Sequence, residues 1–341
     1  MANSNATYQD IANYTGFSKT TISRYFNRPE SVTEENREKI SHALEVLNYQ
    51  SNKVARILAR GRTEFIGIIV PNMYMSFYDE ILDQFLKTYD KYGYKFIVFS
   101  SNGNEESERQ YISELLSYHV EGLVMLSHTI PSFELSSYGV PIVGIEREDL
   151  YISSVNTDNL EGAAQATRLL CDAGCEVLLH INKEGDDDRT PAHRRIDGFL
   201  KVCRERNITH RVFTYGQESD YQDLQQRITV LVDDILTTWP GWKKGLFCSS
   251  DSIANIVLND LFRRFGQLPP DFRIIGFDGS SLADQSVLPL STVEQQVDQL
   301  VDSAMDLLVS QIRERKEPEQ NSVSEPVHRT IAPVLRQGAT V

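Results

Sequence analysis

Apolar residues follow two different rhythms along this chain, and the change falls near residue 63. Over the first sixty residues they recur at three- and four-residue spacing, which predicts helices and no strand. Thr7 is placed to cap a helix from Tyr8 to Tyr14, with Asp10 three positions on as a weak capping box. Gly16 breaks that helix, and Ser18 is placed to cap a second one to about Phe26, ended by Asn27-Arg28-Pro29. Thr33 is placed to cap a third, to about Leu47, in which Ile40, Ala43, Leu44 and Leu47 fall on one face.

From Glu64 onward, short and nearly continuous apolar runs alternate with longer amphipathic segments. The runs at 65–70, 94–100, 122–126, 141–145, 177–181, 211–215, 245–249 and 272–277 predict strands. Continuous rather than alternating apolarity is what parallel strands covered on both faces require. Helices are predicted at about 77–92, 105–118, 158–173, 192–206, 221–238, 251–265 and 296–315. Strand and helix in strict alternation, twice over, define an α/β doubly wound pattern with two repeats.

Charge sharpens the division. The chain carries a formal −14, yet residues 1–62 hold nine Lys and Arg against six acids, a local +3, which leaves −17 on the remainder. A basic head on an acidic body suits a head that meets phosphates while the body is kept off them. With 40% apolar and 24% charged residues the composition is that of an ordinary globular protein, and no run of about 18 apolar residues exists to span a membrane. The start, MANSNATYQDIANYTG, lacks the basic and apolar regions of a secretory signal, so the cytoplasm is the expected location. Cys171, Cys175, Cys203 and Cys248 form no CxxC pair and have no histidine at ligand spacing, so they read as small buried residues. The run Asp186-Asp187-Asp188 reads as a solvated loop, since a calcium loop spaces its ligands more widely. No metal or cofactor is expected.

The head has helix-turn-helix geometry: Ile11, Ala12, Ile22 and Phe26 knit two helices together and leave Lys19, Thr20, Ser23 and Arg24 outward. Lysine, arginine and hydroxyl side chains can all donate to base edges or phosphates. The segment TYQDIANYTGFSKTTISRYFNRPESVTEENREKISHALEVLNYQSNKVARILARG resembles the headpiece of the LacI/GalR family of bacterial repressors, in its D-I-A start, S-x-x-T-I-S-R helix and L-N-Y close. The resemblance implies that Lys19 and Thr20 read bases, while Ser23, Arg24 and Asn27 contact the backbone or neighbouring bases. It further implies that residues 51–62 form a hinge helix in which Asn52, Val54, Ala55 and Leu58 meet DNA. Val54 would face its twin across a dimer axis, and Leu58 would wedge into a minor-groove step. A basic stretch this short is marginal as an isolated helix and orders on DNA beside its copy.

The resemblance continues more loosely to about residue 335. The implied fold is an all-α helix-turn-helix headpiece (1–50), the hinge, and a two-lobed, periplasmic-binding-protein-like core of doubly wound parallel sheets (63–341). One lobe takes about 63–157 and 291–320, the other about 158–290 and 321–341, with the chain crossing between them near 157, 291 and 320. Effector-binding positions carried over are Asp278 after the strand FRIIGF, Arg195 in HRRIDGF, Gln295 at a crossing, the aromatics Phe77 and Tyr78 facing the cleft, and Glu146, Ser250 and Asp251 after strands. A carboxylate accepts from two adjacent hydroxyls, and a guanidinium fork suits a diol or carboxylate. Plain alternatives stand beside them: a turn at Asp278-Gly279, a surface arginine, core aromatics, an N-cap at Asp251. The family pattern departs at Glu146-Arg147, where many relatives have Asp-Arg, and at Ser250 before Asp251, where others have Asn.

The implied function is a sequence-specific DNA-binding repressor of a carbohydrate-utilisation operon. It would act as a homodimer on a palindromic operator, under control of a sugar or sugar phosphate, with no catalytic residues. A branch of the family answers to a phosphorylated carrier protein, which keeps a protein corepressor open. The C-terminal EPEQNSVSEPVHRTIAPVLRQGATV has no leucine heptads, so a dimer is expected rather than a tetramer. The rival is a sugar-active or nucleotide-dependent α/β enzyme. Pro71-Asn72 after the first strand is no GxGxxG turn, and no Walker loop or GxSxG elbow occurs. Paired glycosidase carboxylates can lie far apart in sequence, which leaves that class open. A transport-type receptor would need export.

Overall fold

The computed structural model describes residues 6–49, 62–147, 150–184, 190–216, 220–316 and 325–341. The chain divides into two compact units, Met1–Thr63 and Glu64–Val341.

In the first unit α1 (Tyr8–Thr15) and α2 (Lys19–Asn27) are joined through Gly16, whose φ of 74° is the left-handed conformation glycine adopts without strain. Thr7 and Asp10 form the expected capping box, and Ser18 Oγ accepts from Thr21 N at 3.2 Å. The helix α3 (Glu34–Val46) departs from expectation at its start: Thr33 sits at the N-cap without a side-chain capping bond. Ile11, Ala12, Ile22, Val32, Ile40 and Ala43 are buried together, and Tyr8 stacks on Phe26 with centroids 5.2 Å apart. The expected hinge segment, with Asn52, Val54, Ala55 and Leu58, lies outside the described residues, as does the acidic run at 186–188.

The second unit contains two six-stranded sheets. The first has the order β11 (His328–Ile331), β5 (Ser153–Thr157), β4 (Ile142–Ile145), β3 (Gly122–Leu126), β1 (Phe65–Val70), β2 (Lys95–Ser100). All its pairings are parallel. The second has the order β12 (Val334–Arg336), β10 (Ser291–Glu294), β9 (Phe272–Asp278), β8 (Lys244–Cys248), β6 (Val177–Lys183), β7 (Thr209–Tyr215), with only β12 antiparallel. Every strand expected from the sequence is present. Four further strands, β5, β10, β11 and β12, carry no continuous apolar run, which is why patterning passed over them.

These short strands correct where the chain changes lobes. The first exchange follows Thr157, as expected. The second comes after Glu294 rather than near 291, because β10 pairs in register with β9. The third lies between Ile331 and Val334 rather than near 320, because β11 pairs with β5, His328 opposite Ser154. The helix Val297–Lys316 buries Leu300, Val301, Ala304, Met305 and Leu308 against the first sheet. The four cysteines are free, and Cys175, Cys203 and Cys248 are buried in the second lobe, where desolvation pushes the thiols of Cys175 and Cys203 up to about 11 and 12. They are packing residues.

Candidate functional site

In an open α/β sheet the loops beyond the carboxyl ends of the strands are free to converge on a ligand. Here both sheets contribute to one cavity of about 340 Å³, inside the range of small-molecule sites, roughly 300–1,000 Å³. Asn72 follows β1, Ser127 follows β3, Glu146 follows β4, Ser249 follows β8, Asp278 ends β9 and Gln295 follows β10. The starts of two helices complete the wall: Phe77 and Tyr78 from Ser76–Lys87, and Arg195 from Pro191–Glu205.

Arg195 is the centre of a buried polar network. Its Nε donates to Asn159 Oδ1 at 2.8 Å, and its Nη1 donates to Ser249 O. Its Nη2 lies 3.5 Å from Glu146 Oε2 and its Nη1 lies 4.0 Å from Asp278 Oδ1. The guanidinium also stacks on Phe277, 3.8 Å from the ring centroid. Glu146 Oε1 accepts from Thr157 N at 2.7 Å, and its Oε2 accepts from Asn159 Nδ2 at 3.1 Å. Gln295 Nε2 donates to Asp278 Oδ1 at 2.7 Å, while its Oε1 accepts from Thr157 Oγ1 at the same distance. Thr157, Asn159 and Gln295 sit at the first two exchanges between lobes, so the cavity's charged groups are bonded to its hinge.

The electrostatics follow from burial. Desolvation raises the Asp278 carboxyl well above the ordinary range, against the pull of Arg195, with Asp251 and Glu146 adding to the rise. Burial likewise pushes the Tyr78 hydroxyl, bonded to Ser127, up to about 12, so it stays a neutral donor. Asp278 and Glu146 have φ of 118° and 54°, conformations that side chains other than glycine's adopt rarely; both aim a carboxyl at the cavity.

Of the eight effector positions expected from sequence, seven line this cavity: Phe77, Tyr78, Glu146, Arg195, Ser250, Asp278 and Gln295. Phe77 also belongs to the core of the first lobe, so the two readings of it are compatible. Asp251 is the correction. It is fully buried, and its carboxylate turns away into the fold: Oδ2 accepts from Ser280 N at 2.8 Å and Oγ at 2.9 Å, and Oδ1 accepts from Thr292 Oγ1 at 2.6 Å. It packs so closely on β9 that a Cβ at Gly276 would lie 2.2 Å from Oδ1. Ser250, not Asp251, is the N-cap, accepting from Ile253 N at 3.2 Å.

Sequence reasoning missed Asn159, Ser127, Asn182 and Ser249. The last three stand at or just past the end of an apolar run, so extending the strand-end rule to every strand would have found them. Asn182 is set by His180 behind it. The His180 Nδ1 lies 2.9 Å from Phe247 O, which can only accept, so Nδ1 bears the proton and Nε2 accepts from Asn182 Nδ2 at 3.0 Å. Burial pushes this imidazole down to about 3, and it stays neutral.

On the first unit, Lys19, Thr20 and Arg24 are exposed on α2 and Ser23 is half-buried, opposite the buried Ile22. Asn27 ends the helix. This is a polar, cationic helix face ahead of a capped N-terminus, the arrangement a major groove accepts.

Comparison with known proteins agrees with both units. Residues 7–52 match the bacterial regulatory proteins of the lacI family, and residues 167–331 match a periplasmic binding protein-like domain. The ribose operon repressor of Halalkalibacterium halodurans is 30% identical over 311 residues, covering 91% of each chain. The sucrose operon repressor of Streptococcus mutans is 28% identical over 310 residues, covering 91% of this chain and 93% of that one. Among solved structures, the lac repressor dimer bound to operator and the anti-inducer ONPF superposes with a TM-score of 0.81 at 19% identity, over 98% of this chain and 99% of that one. A basic helix-turn-helix and a two-lobed ligand cavity, together with a relative this similar along nearly the whole length, place the chain in the lacI family of bacterial regulatory proteins, as a DNA-binding transcriptional repressor.

Proposed function

We propose that this repressor binds a sugar or sugar phosphate in the cavity around Arg195, and that this ligand controls its hold on a palindromic operator. The observation that carries the reading is the convergence of Arg195, Glu146, Asp278 and Gln295 on one cavity, with Arg195, Glu146 and Gln295 bonded directly to Thr157 or Asn159 at the first chain crossing and Asp278 held through Gln295. Forked donors and carboxyl acceptors suit vicinal hydroxyls, and Phe77 and Tyr78 supply an apolar wall for the face of a ring. Because the same groups hold the crossings, a ligand that re-bonds them changes the interlobe angle that is most stable. Coupling equals the difference in its affinity for the two arrangements.

In this reading Lys19 and Thr20 read bases, Ser23, Arg24 and Asn27 position the helix on the backbone, and residues 51–62 carry the signal as a hinge. The working unit is a homodimer. Its support in the core is the edge strand β2, with Val98 exposed along it and Tyr89 exposed beside Lys95. The test is calorimetric titration of the protein with a panel of sugars and sugar phosphates. Saturable binding of one of them, weakened at least tenfold in Arg195→Lys, supports the proposal; binding unaffected by Arg195→Lys contradicts it.

A further inference from the structure

A second cavity, of about 570 Å³, is built against the first crossing, and Thr157 and Asn159 line it. The same two residues hold Glu146, Gln295 and Arg195 of the effector cavity, so they stand between the two. Consecutive arginines on one helix divide between them: Arg195 lines the effector cavity and Arg194 the second. Facing Arg194 from the other lobe are His328 and Arg329, on β11.

Positive charge prevails in this second cavity. Arg194 and Arg329 line it against one acid, Asp158, whose carboxylate is occupied as an N-cap, accepting from Glu161 N at 2.9 Å. Arg194 also lies 3.9 Å from Asp197 on its own helix, and the His328 ring lies 3.0 Å from Ser154 Oγ. The helix that Asp158 caps is fourteen residues long, Asn159–Asp172, and its first residues, Asn159 and Leu160, form part of the wall. The positive end of the helix dipole therefore adds to the side-chain charge. Among the described residues Arg329 has one polar contact, a long bond of 3.4 Å to Ser303 O, and no carboxylate within ion-pair distance. Asn156 Oδ1, also in this wall, is buried without a hydrogen-bond partner. An acceptor left so asks for a donor.

The geometry points to a second ligand site here, for a small phosphate-bearing metabolite with a hydroxyl donor beside the phosphate. Arg194 and Arg329 belong to opposite lobes, so a phosphate held by both fixes the distance between them. It thereby biases the interlobe angle from a cavity separate from the effector's. This site is independent of which sugar the first cavity takes.

The test uses inorganic phosphate, titrated into the full chain at constant ionic strength and followed by calorimetry and phosphorus NMR. The expected result is saturable binding in the millimolar range, weakened at least tenfold in Arg329→Gln and in Thr330→Glu. Thr330 is exposed, and its replacement sets a carboxylate in the cavity wall without disturbing a core. Lys183→Ala, which alters only the effector cavity, should leave phosphate binding intact. Absence of saturable binding, or binding unchanged in both Arg329→Gln and Thr330→Glu, overturns the proposal. So does a loss in Lys183→Ala as large as theirs, which places the phosphate in the first cavity.

Discussion

Arg195 Nε donates to Asn159 Oδ1 at 2.8 Å, and this bond ties a helix of the second lobe to the segment by which the chain leaves the first. If Arg195 contacts the proposed ligand, no relay is needed: whatever pulls it toward a bound hydroxyl pulls on Asn159 as well. Replacing it by lysine keeps the charge and removes the fork. Effector affinity should fall about 10- to 100-fold, equivalent to about 1.4–3 kcal/mol of charge-assisted hydrogen bonding. Isothermal titration checks this, and an unchanged affinity would remove Arg195 from the site.

Asp251 gives the converse expectation. Its three hydrogen bonds, to Ser280 and Thr292, fix β9 and β10 from behind. Asp251→Ala should cost about 2–4 kcal/mol of stability by leaving buried donors unpaired. Protein that still folds should bind effector within threefold of the parent. Urea unfolding and titration on one preparation separate the two effects, and a selective loss of effector binding would restore Asp251 to the site.

His180 sets a pH dependence. Its folded pKa, about 3, lies below the unfolded value of 6.5, so the native state excludes a proton that the unfolded chain takes up. Stability from this residue is complete above pH 6.5 and is lost as pH falls toward 3. His180→Leu should be the less stable protein at pH 7.5. By pH 5 its deficit against the parent should have shrunk by about 2 kcal/mol, one proton over 1.5 pH units. Urea titrations at the two pH values measure this; a deficit independent of pH would mean that His180 takes up its proton as readily in the fold as in the unfolded chain.

Both sheets were legible because parallel strands covered on two faces must be apolar throughout, as FIGIIV and GLVML are. The polar strands SSVNT and HRTI were not, since they are held by pairing with each other and not by an apolar run. That single gap moved the expected third crossing by about ten residues. The site was readable where a residue's role is fixed by its place after a strand, as for Asp278 and Glu146. It failed at Asp251, because sequence shows that a carboxylate stands at a helix start but not which way it turns. Asn159 was invisible for the same reason: its partners, Glu146 and Arg195, are 13 and 36 residues away.

The exposed face of α2 makes a prediction in salt. If Lys19 meets a base edge, Lys19→Ala should weaken specific binding by about 1–3 kcal/mol and relax preference at one position of the operator. If Arg24 meets a phosphate, Arg24→Ala should weaken binding to all sequences alike and reduce the slope of log K against log salt by about 0.9 per protomer. Filter binding across a salt series distinguishes the two, and identical behaviour of both variants would contradict the assignment.

The most direct test of the whole account is fluorescence anisotropy with the DNA upstream of the protein's own gene, titrated with and without a panel of sugars and sugar phosphates. The account predicts specific, salt-sensitive binding whose affinity one of these ligands changes at least fivefold, with the change lost in Arg195→Lys. Specific DNA binding that no sugar or sugar phosphate alters, although one of them binds the protein saturably, would contradict it.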